Sequence, residues 1–559
     1  MKLTKATVTL CLLSVLYLPL CYAQGSNTTG TDIEQLKAKL AEQQKQLDTL
    51  RQSIADQQKL IDSLAKSADP TTAAATPAAP GFTRVGGAVA STTGALPATP
   101  DPAQKQPMQT PQPEPVISSP LQLQLGNITI MPVGFMDDTM VWRNKDTGSG
   151  IGSNFGSVPF DSAVPGGKLS ELRFSPQNSR IGFRVDGNYK GYRFIGYNEF
   201  DFLGTSGANN IGITNGAFVP RLRLYWVDVR KDAWEIMAGQ SWSLLTPNRV
   251  GLSPLPGDVF YSQVMDVNYV AGLNWTRQPG VRFVLHAPQD KVSFGVAFEN
   301  PNQYLGSYGG SGQPVLPSAL TALAGSQFDN GSSSPLSTPN LMPDIIAKLA
   351  FDPDRRAHVE IAGIVREFKD INPVSTSPTY LQKYTATGAG ASVNANLEVA
   401  KGIRLIANNT FGQGIGRYIF GEAPDAIIRS NGSISPVHTF NTVEGIEATY
   451  KKSLFFFYAG GIYIQKNIAL DANGTTYIGW GYPGAANSQD HSINEYTFGL
   501  NQTVWKDAKY GAISFIGQYE YLTRSPWTIP AGTPANALDH TIYLDIRYTL
   551  PGAPPSAKK

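Results

Sequence analysis

Three successive stretches of the chain alternate charged and apolar residues with a period of two. Over 179–186, Arg180, Gly182, Arg184 and Asp186 alternate with Ile181, Phe183 and Val185. Over 192–202, Arg193, Tyr197, Glu199 and Asp201 alternate with Phe194, Phe200 and Phe202. Over 221–229, Arg221 and Arg223 alternate with Leu222, Leu224 and Trp226. This period sends successive side chains to opposite faces of a sheet. One face is therefore apolar and aromatic, and the other is charged. A soluble sandwich would bury the apolar face against a second sheet. A membrane barrel would turn it to lipid and keep the charged face around a water-filled lumen.

The remaining sequence favours the barrel. Charged residues are 16% of the 559, against roughly 25% in ordinary soluble domains. After the first 23 residues no apolar run is long enough for a helical span. The longest, 454–464, is broken by Gly460 and Gly461. From 121 to 550 the pattern reads as sixteen strands. Short connections fall at 187–190, 230–232, 287–290, 352–355, 400–402, 451–453 and 506–509. Long ones fall at 143–170, 204–217, 246–277, 300–343, 413–439, 466–493 and 523–539, and the two kinds alternate. Short turns on one side and long loops on the other are the outer-membrane arrangement, and an even count returns both ends to the periplasmic side. A barrel of this size leaves an aqueous channel. The predicted fold class is all-β: a 16-stranded antiparallel transmembrane β-barrel preceded by an N-terminal α-helical coiled coil and a disordered linker. Trp234, Trp242, Tyr192, Tyr225, Phe202 and Tyr521 are expected in an outward aromatic girdle. The connection 300–343 is expected to face the surface.

Residues 1–23 have the form of a secretory signal: Lys2 and Lys5, an apolar core over 6–20, and Ala23 at the cleavage position. Leu20 stands where a lipidated Cys21 would need a small residue. Cys11 and Cys21 both lie in this segment, so the mature chain uses no disulfide. Without Lys2 and Lys5, basic and acidic residues are equal in number, which argues against a nucleic-acid partner. Residues 24–67 predict a periplasmic coiled coil. Thr31 and Glu34 form a capping box. One seam holds Ile33, Leu40, Leu47, Ile54 and Ile61; the other holds Leu36, Gln43, Leu50, Gln57 and Leu64. Residues 68–120 are rich in Pro, Ala, Thr and Gln and read as a disordered linker. Residues 551–559 form a tail.

No catalytic constellation stands out. The five histidines, His286, His358, His438, His491 and His540, show no metal-ligand spacing, and no nucleophile elbow or phosphate loop is present. Neither an enzyme nor a cofactor or metal site is expected. The informative set is Arg180, Arg184, Arg193, Arg221, Arg223 and Arg282, with Arg366, Arg404 and Arg547 inward elsewhere. Guanidinium stays charged and binds carboxylates in a fork, so a ladder of them favours anions in a pore. Glu199, Asp201, Glu235 and Glu360 share the lumen, and roughly half of these arginines are expected to pair with them. The loop 246–277, carrying Arg249, Asp258, Tyr261 and Asp266, is expected to fold inward. Asp258 and Asp266 would then face the arginines and set up a transverse field.

The signal, the heptads, the linker and the barrel together resemble the DcaP-like trimeric outer-membrane porins. The residues that carry the resemblance are the heptads from Ile33 to Leu64, Ser179-Arg180-Ile181-Gly182-Phe183, Ala238-Gly239-Gln240-Ser241-Trp242 and Arg277-Gln278-Pro279-Gly280-Val281-Arg282. The resemblance implies a homotrimer in the lipid and lipopolysaccharide of the bacterial outer membrane. It also implies diffusion of small anionic solutes (carboxylates, dicarboxylates, aromatic acids) past an arginine-lined constriction, with Arg180, Arg184, Arg221, Arg223 and Arg282 there. The chain departs from the usual outer-membrane pattern in ending its last strand at Leu550 rather than at an aromatic residue. A different reading makes the barrel only an anchor, with the coiled coil tethering the membrane to peptidoglycan.

Overall fold

The computed structural model describes residues 120–204, 218–260, 263–306, 312–321, 327–328, 340, 342–373, 381–529, 531–532 and 534–551. The signal, coiled coil and linker expected in 1–119, and nearly all of the tail, lie outside them. The described chain is a closed antiparallel barrel of sixteen strands. In order they are Ile128–Arg143; a second strand in two pieces, Glu171–Ser175 and Arg180–Tyr189; Tyr192–Gly204; Val219–Lys231; Trp234–Trp242; Arg277–His286; Val292–Glu299; Asp344–Asp354; Ala357–Pro373; Leu381–Ala400; Ile403–Gln413; His438–Tyr450; Ser453–Ile464; Asp490–Asp507; Gly511–Pro526; and Ala537–Thr549. They are called strands 1 to 16 below. Strand 16 closes on strand 1, from Thr549 opposite Phe135 to Thr541 opposite Arg143.

The short turns are tight because their residues accept left-handed backbone. Lys190, Asp232, Gln289, Asp290 and Lys451 all have positive φ, as does Gly402. Such residues suit two-residue hairpins, whose twist matches that of the flanking strands.

The barrel is inverted relative to a soluble protein. Ile181, Phe183, Leu349, Phe351, Phe455, Phe457, Phe498, Leu544 and Ile546 stand exposed on the outside. Asp137, Arg180, Arg184, Glu199, Lys348, Glu360, Glu495 and Asp545 are buried on the inside. That is the surface a lipid solvent selects. At the short-turn end, Tyr192 meets Trp234 edge-on at 6.0 Å and carries Lys231 over its face at 4.6 Å.

Two irregularities shape the wall. Strand 2 is interrupted at 176–179, where Pro176 has no N–H for a ladder. Side chains replace the missing bonds: Asn178 donates to the Asp137 carboxylate at 2.9 Å, and the Asp137 N–H donates to Ser179 Oγ at 3.0 Å. In strand 4, Glu199 pairs Leu224 but Phe200 pairs Leu222, so Arg223 is an extra residue. A bulge of this kind turns two neighbouring side chains to one face. Leu224 and Trp226 therefore point inward and are buried, where plain alternation puts them on lipid; Tyr225 and Val227 take the outside.

The interior is not an open pipe. Residues 243–260 and 263–276, in the loop between strands 5 and 6 (loop 3), run through it and cover the inner wall. Leu255, Val259, Phe260, Val264, Tyr269, Val270, Leu273 and Trp275 pack with wall residues Met131, Tyr197, Trp226, Phe456 and Tyr458. Trp242 belongs to this interior cluster and not to the outer girdle. Toward the long-loop end, Phe155 and Phe160 of the first loop pack with Ile419, Ile427 and Trp480 of later ones. The described parts of the connection after strand 7 are anchored at three points: Leu305, Leu320 and Phe328 are buried against Phe368, Ala426 and Ile428. Val315, Ser318, Ala319 and Thr321 stay exposed, so the expectation of a surface-facing segment is corrected only at these apolar anchors.

Candidate pore constriction

Strands 2 to 6 build a wall of guanidinium groups. Their inward positions hold Arg180, Arg184, Glu199 and Asp201, and alternation in strand 4 ahead of its bulge adds Arg221 and Arg223 on the same side. These charges are mostly paired. Arg221 forks onto Asp201, with Nε and Nη2 at 2.9 and 2.6 Å from its two oxygens. Arg223 bridges Glu199 at 2.6 Å and Asp201 at 2.7 Å. Arg180 lies 3.4 Å from Glu199 and over the Phe135 ring at 5.3 Å. Arg184 forks onto Asp186 through Nε and Nη2, both at 2.7 Å, nearer the short turns. Arg193 also lies toward that end, within electrostatic reach of Asp228. Pairing was expected for roughly half of these arginines, and Arg180, Arg184, Arg221 and Arg223 show it, as burial in a narrow lumen demands. Arg221 is the more open of the central group, its side chain 24% exposed.

Arg282 does something else. It donates to the carbonyls of Leu252 at 2.9 Å and Trp242 at 2.7 Å, so it tethers loop 3. Arg366 pairs Asp344 and Asp425, Arg547 pairs Asp137, and Arg404 reaches Asn396 and Glu398.

Arg277 is the residue that sequence reasoning did not place in the site. It begins strand 6 directly after loop 3, opposite Trp242. Its guanidinium carbon stands 5.7 Å from the Trp242 ring centroid, as does that of Arg223. Arg221, Arg223, Asp201 and Tyr269 surround it, its Nη1 is buried without a hydrogen-bond acceptor, and among the described residues it makes no ion pair. Among these six side chains, Arg180, Arg221, Arg223 and Arg277 stand against Glu199 and Asp201, four formal positive charges to two negative ones. The signal for Arg277 in the sequence was its position at the foot of the inward loop.

Loop 3 is held by wall carboxylates. The Leu244 N–H donates to Glu299 at 2.8 Å and that of Ala271 to Glu495 at 2.8 Å. Arg249 forks onto Glu447 of strand 12 at 2.9 and 2.6 Å and lies over Phe260. Asp258 is buried in the loop's own turn, where its carbonyl accepts from the Arg249 N–H at 2.7 Å. Asp266 accepts from Tyr543 Oη at 2.9 Å and the Ser153 N–H at 2.8 Å. It therefore faces strand 16 and the first loop, and the expected position opposite the arginines is corrected. Its negative neighbours are Glu495 and Glu520, on strands 14 and 15. Tyr261 lies outside the described residues. The loop approaches strand 13 so closely because Gly460 has no side chain; a Cβ there would overlap the Ala271 carbonyl oxygen.

A closed sixteen-stranded barrel with apolar walls and an inward third loop is decisive for the fold. It is a porin-type barrel. No family model and no curated protein matches the chain. Among solved structures, this porin-type barrel is similar to the outer membrane channel DcaP of Acinetobacter baumannii, with a TM-score of 0.52 and 15% identity over 76% of this chain and 98% of that one. The anion-selective porin from Comamonas acidovorans aligns with a TM-score of 0.40 and 11% identity, over 76% of this chain and 99% of that one. At 15% identity the likeness to DcaP speaks for the fold.

Proposed function

We propose that this protein is an outer-membrane diffusion channel for small anionic solutes: carboxylates, dicarboxylates and aromatic acids. The observation that carries the reading is the cluster on strands 2 to 6, where four guanidinium groups meet two carboxylates. Arg180, Arg184, Arg193, Arg221, Arg223 and Arg282 form the inner wall of the site in this reading. Arg277 is the cation that a passing carboxylate meets without displacing a resident one. Loop 3, with Arg249, Asp258, Tyr261 and Asp266, sets the width. In a narrow passage of low dielectric, a fixed excess of positive charge lowers the barrier for anions and raises it for cations.

The working unit in this reading is a homotrimer seated in lipid and lipopolysaccharide, with a periplasmic coiled coil in reach of peptidoglycan. Heptads at 33–64 and an apolar outer wall support it.

Liposome swelling tests the proposal. Liposomes carrying the protein are expected to swell faster in small carboxylates than in neutral or cationic solutes of the same size. Faster swelling with the cations, or none at all, overturns it.

A further inference from the structure

The tip of loop 3 is fastened to strands 8 and 9 by a group of buried charges. Asn248 donates its N–H to both oxygens of Glu360 at 3.3 Å, and Gly251 donates its N–H to both oxygens of Asp352 at 3.3 Å. Lys348 Nζ binds the Thr246 carbonyl at 2.7 Å, Asn248 Oδ1 at 3.3 Å and Glu360 Oε1 at 2.9 Å. Asn394 of strand 10 donates to Glu360 Oε1 at 2.8 Å. Between the two carboxylates stands His358. Its Nδ1 is 2.9 Å from Asp352 Oδ1 and its Nε2 is 3.1 Å from Glu360 Oε2.

Both ring nitrogens thus face carboxylate oxygens. Neutral imidazole has one N–H and one lone pair. Two hydrogen bonds to two carboxylates need one more proton, on the ring or on a carboxylate. With that proton the group is balanced: Lys348 and His358 against Asp352 and Glu360. Without it, a ring lone pair faces a carboxylate oxygen and a buried negative charge is left over. Such a charge is expensive where water is excluded. The same two carboxylates hold the loop, so the cost falls on the loop's attachment. The other charges near this group are Arg282 and Glu299, which Lys348 senses, and Arg404 and Glu398 beyond Asn396, the strand-10 partner of His358. Imidazole is the side chain whose ordinary protonation change falls nearest to neutral pH.

We infer that His358, Asp352, Glu360 and Lys348 form a proton-operated latch, docking the tip of loop 3 when the extra proton is present and releasing it when the proton leaves. The sign follows from the geometry. The docked loop is the state that holds the proton, so docking is favoured at low pH and lost as pH rises. The inference rests on the reading of loop 3 as a pore constriction, since only then does release widen a passage.

Hydrogen exchange on the full-length protein, refolded in detergent, reads the latch without any ion current. Peptides covering 244–260 are followed from pH 6 to pH 9, and rates are expressed as protection factors to remove the intrinsic effect of pH. In the wild type, protection of this segment is expected to fall by up to about tenfold per pH unit, the limit for one linked proton. In His358→Gln it is expected to be low and flat across the range. In His358→Arg, a permanent cation with two donors, it is expected to be high and flat. A wild-type fall in either variant overturns the latch, and so does a flat profile in the wild type. Because the readout is exchange, a protein that conducts nothing but shows these profiles keeps the latch and sinks the channel reading.

Discussion

Arg277 lies against the face of Trp242, its guanidinium carbon 5.7 Å from the ring centroid. An aromatic face supports a cation without neutralising it. Arg221 and Arg223, its neighbours in the cluster, are both tied to Asp201. This difference between a cation on a ring and cations on carboxylates underlies the first two predictions.

Arg277→Gln is expected to reduce anion preference more than Arg184→Gln does. Losing one fixed charge close to a passing ion is worth on the order of 1 kcal/mol, or several-fold in the anion-to-cation permeability ratio. Arg184 sits on Asp186 nearer the short turns, so the charge lost there acts on the cluster from farther away and is screened more. Reversal potentials of the two variants, measured side by side, check this. Equal effects would remove Arg277 from its special place.

Arg223→Met is expected to act on stability as well as on selectivity. It leaves Glu199 and Asp201, both buried, each short of a partner. Breaking a buried pair from one side costs about 3–5 kcal/mol. The midpoint of thermal unfolding in detergent, read from the shift in gel mobility of the heated barrel, should fall clearly. An unchanged midpoint would mean that the pair is solvated.

Gly460→Val is expected to push loop 3 off strand 13 and enlarge the conductance. The new side chain would occupy the space of the Ala271 carbonyl and Val270. The barrel wall itself should survive, because strand 13 keeps its ladders to strands 12 and 14. Single-channel recording compares the two proteins. A smaller or identical conductance counts against loop 3 as the narrowing element.

Phe457→Arg tests the orientation of the wall. Phe457 is exposed on the outer face in mid-strand, between Phe455 and Ala459. An arginine on the lipid face near the bilayer centre costs about 2–4 kcal/mol. Denaturant titration of folding into lipid vesicles should show a loss of that order. No loss would place this face away from lipid.

The sequence showed the strands and their connections because those signals are local. Alternation and turn residues such as Lys190, Asp232 and Lys451 act over a few positions. Inward and outward sides followed wherever alternation was unbroken, as at Arg180, Ile181 and Arg184. They failed where one extra residue changed the register. The bulge at Arg223 moved Leu224 and Trp226 from the lipid side to the lumen, since a one-residue slip flips every later side chain. Pairing was not legible either. Whether Arg249 meets Glu447, 198 positions away, depends on how loop 3 crosses the barrel. Trp242 and Arg277 share a site for the same reason: the loop between them returns to its starting point.

The most direct test is the zero-current potential of the full-length protein in a planar bilayer under a tenfold gradient of potassium chloride. A potential of the sign set by chloride is expected, shrinking toward zero in Arg277→Gln. A potential of the opposite sign, set by potassium, would contradict it.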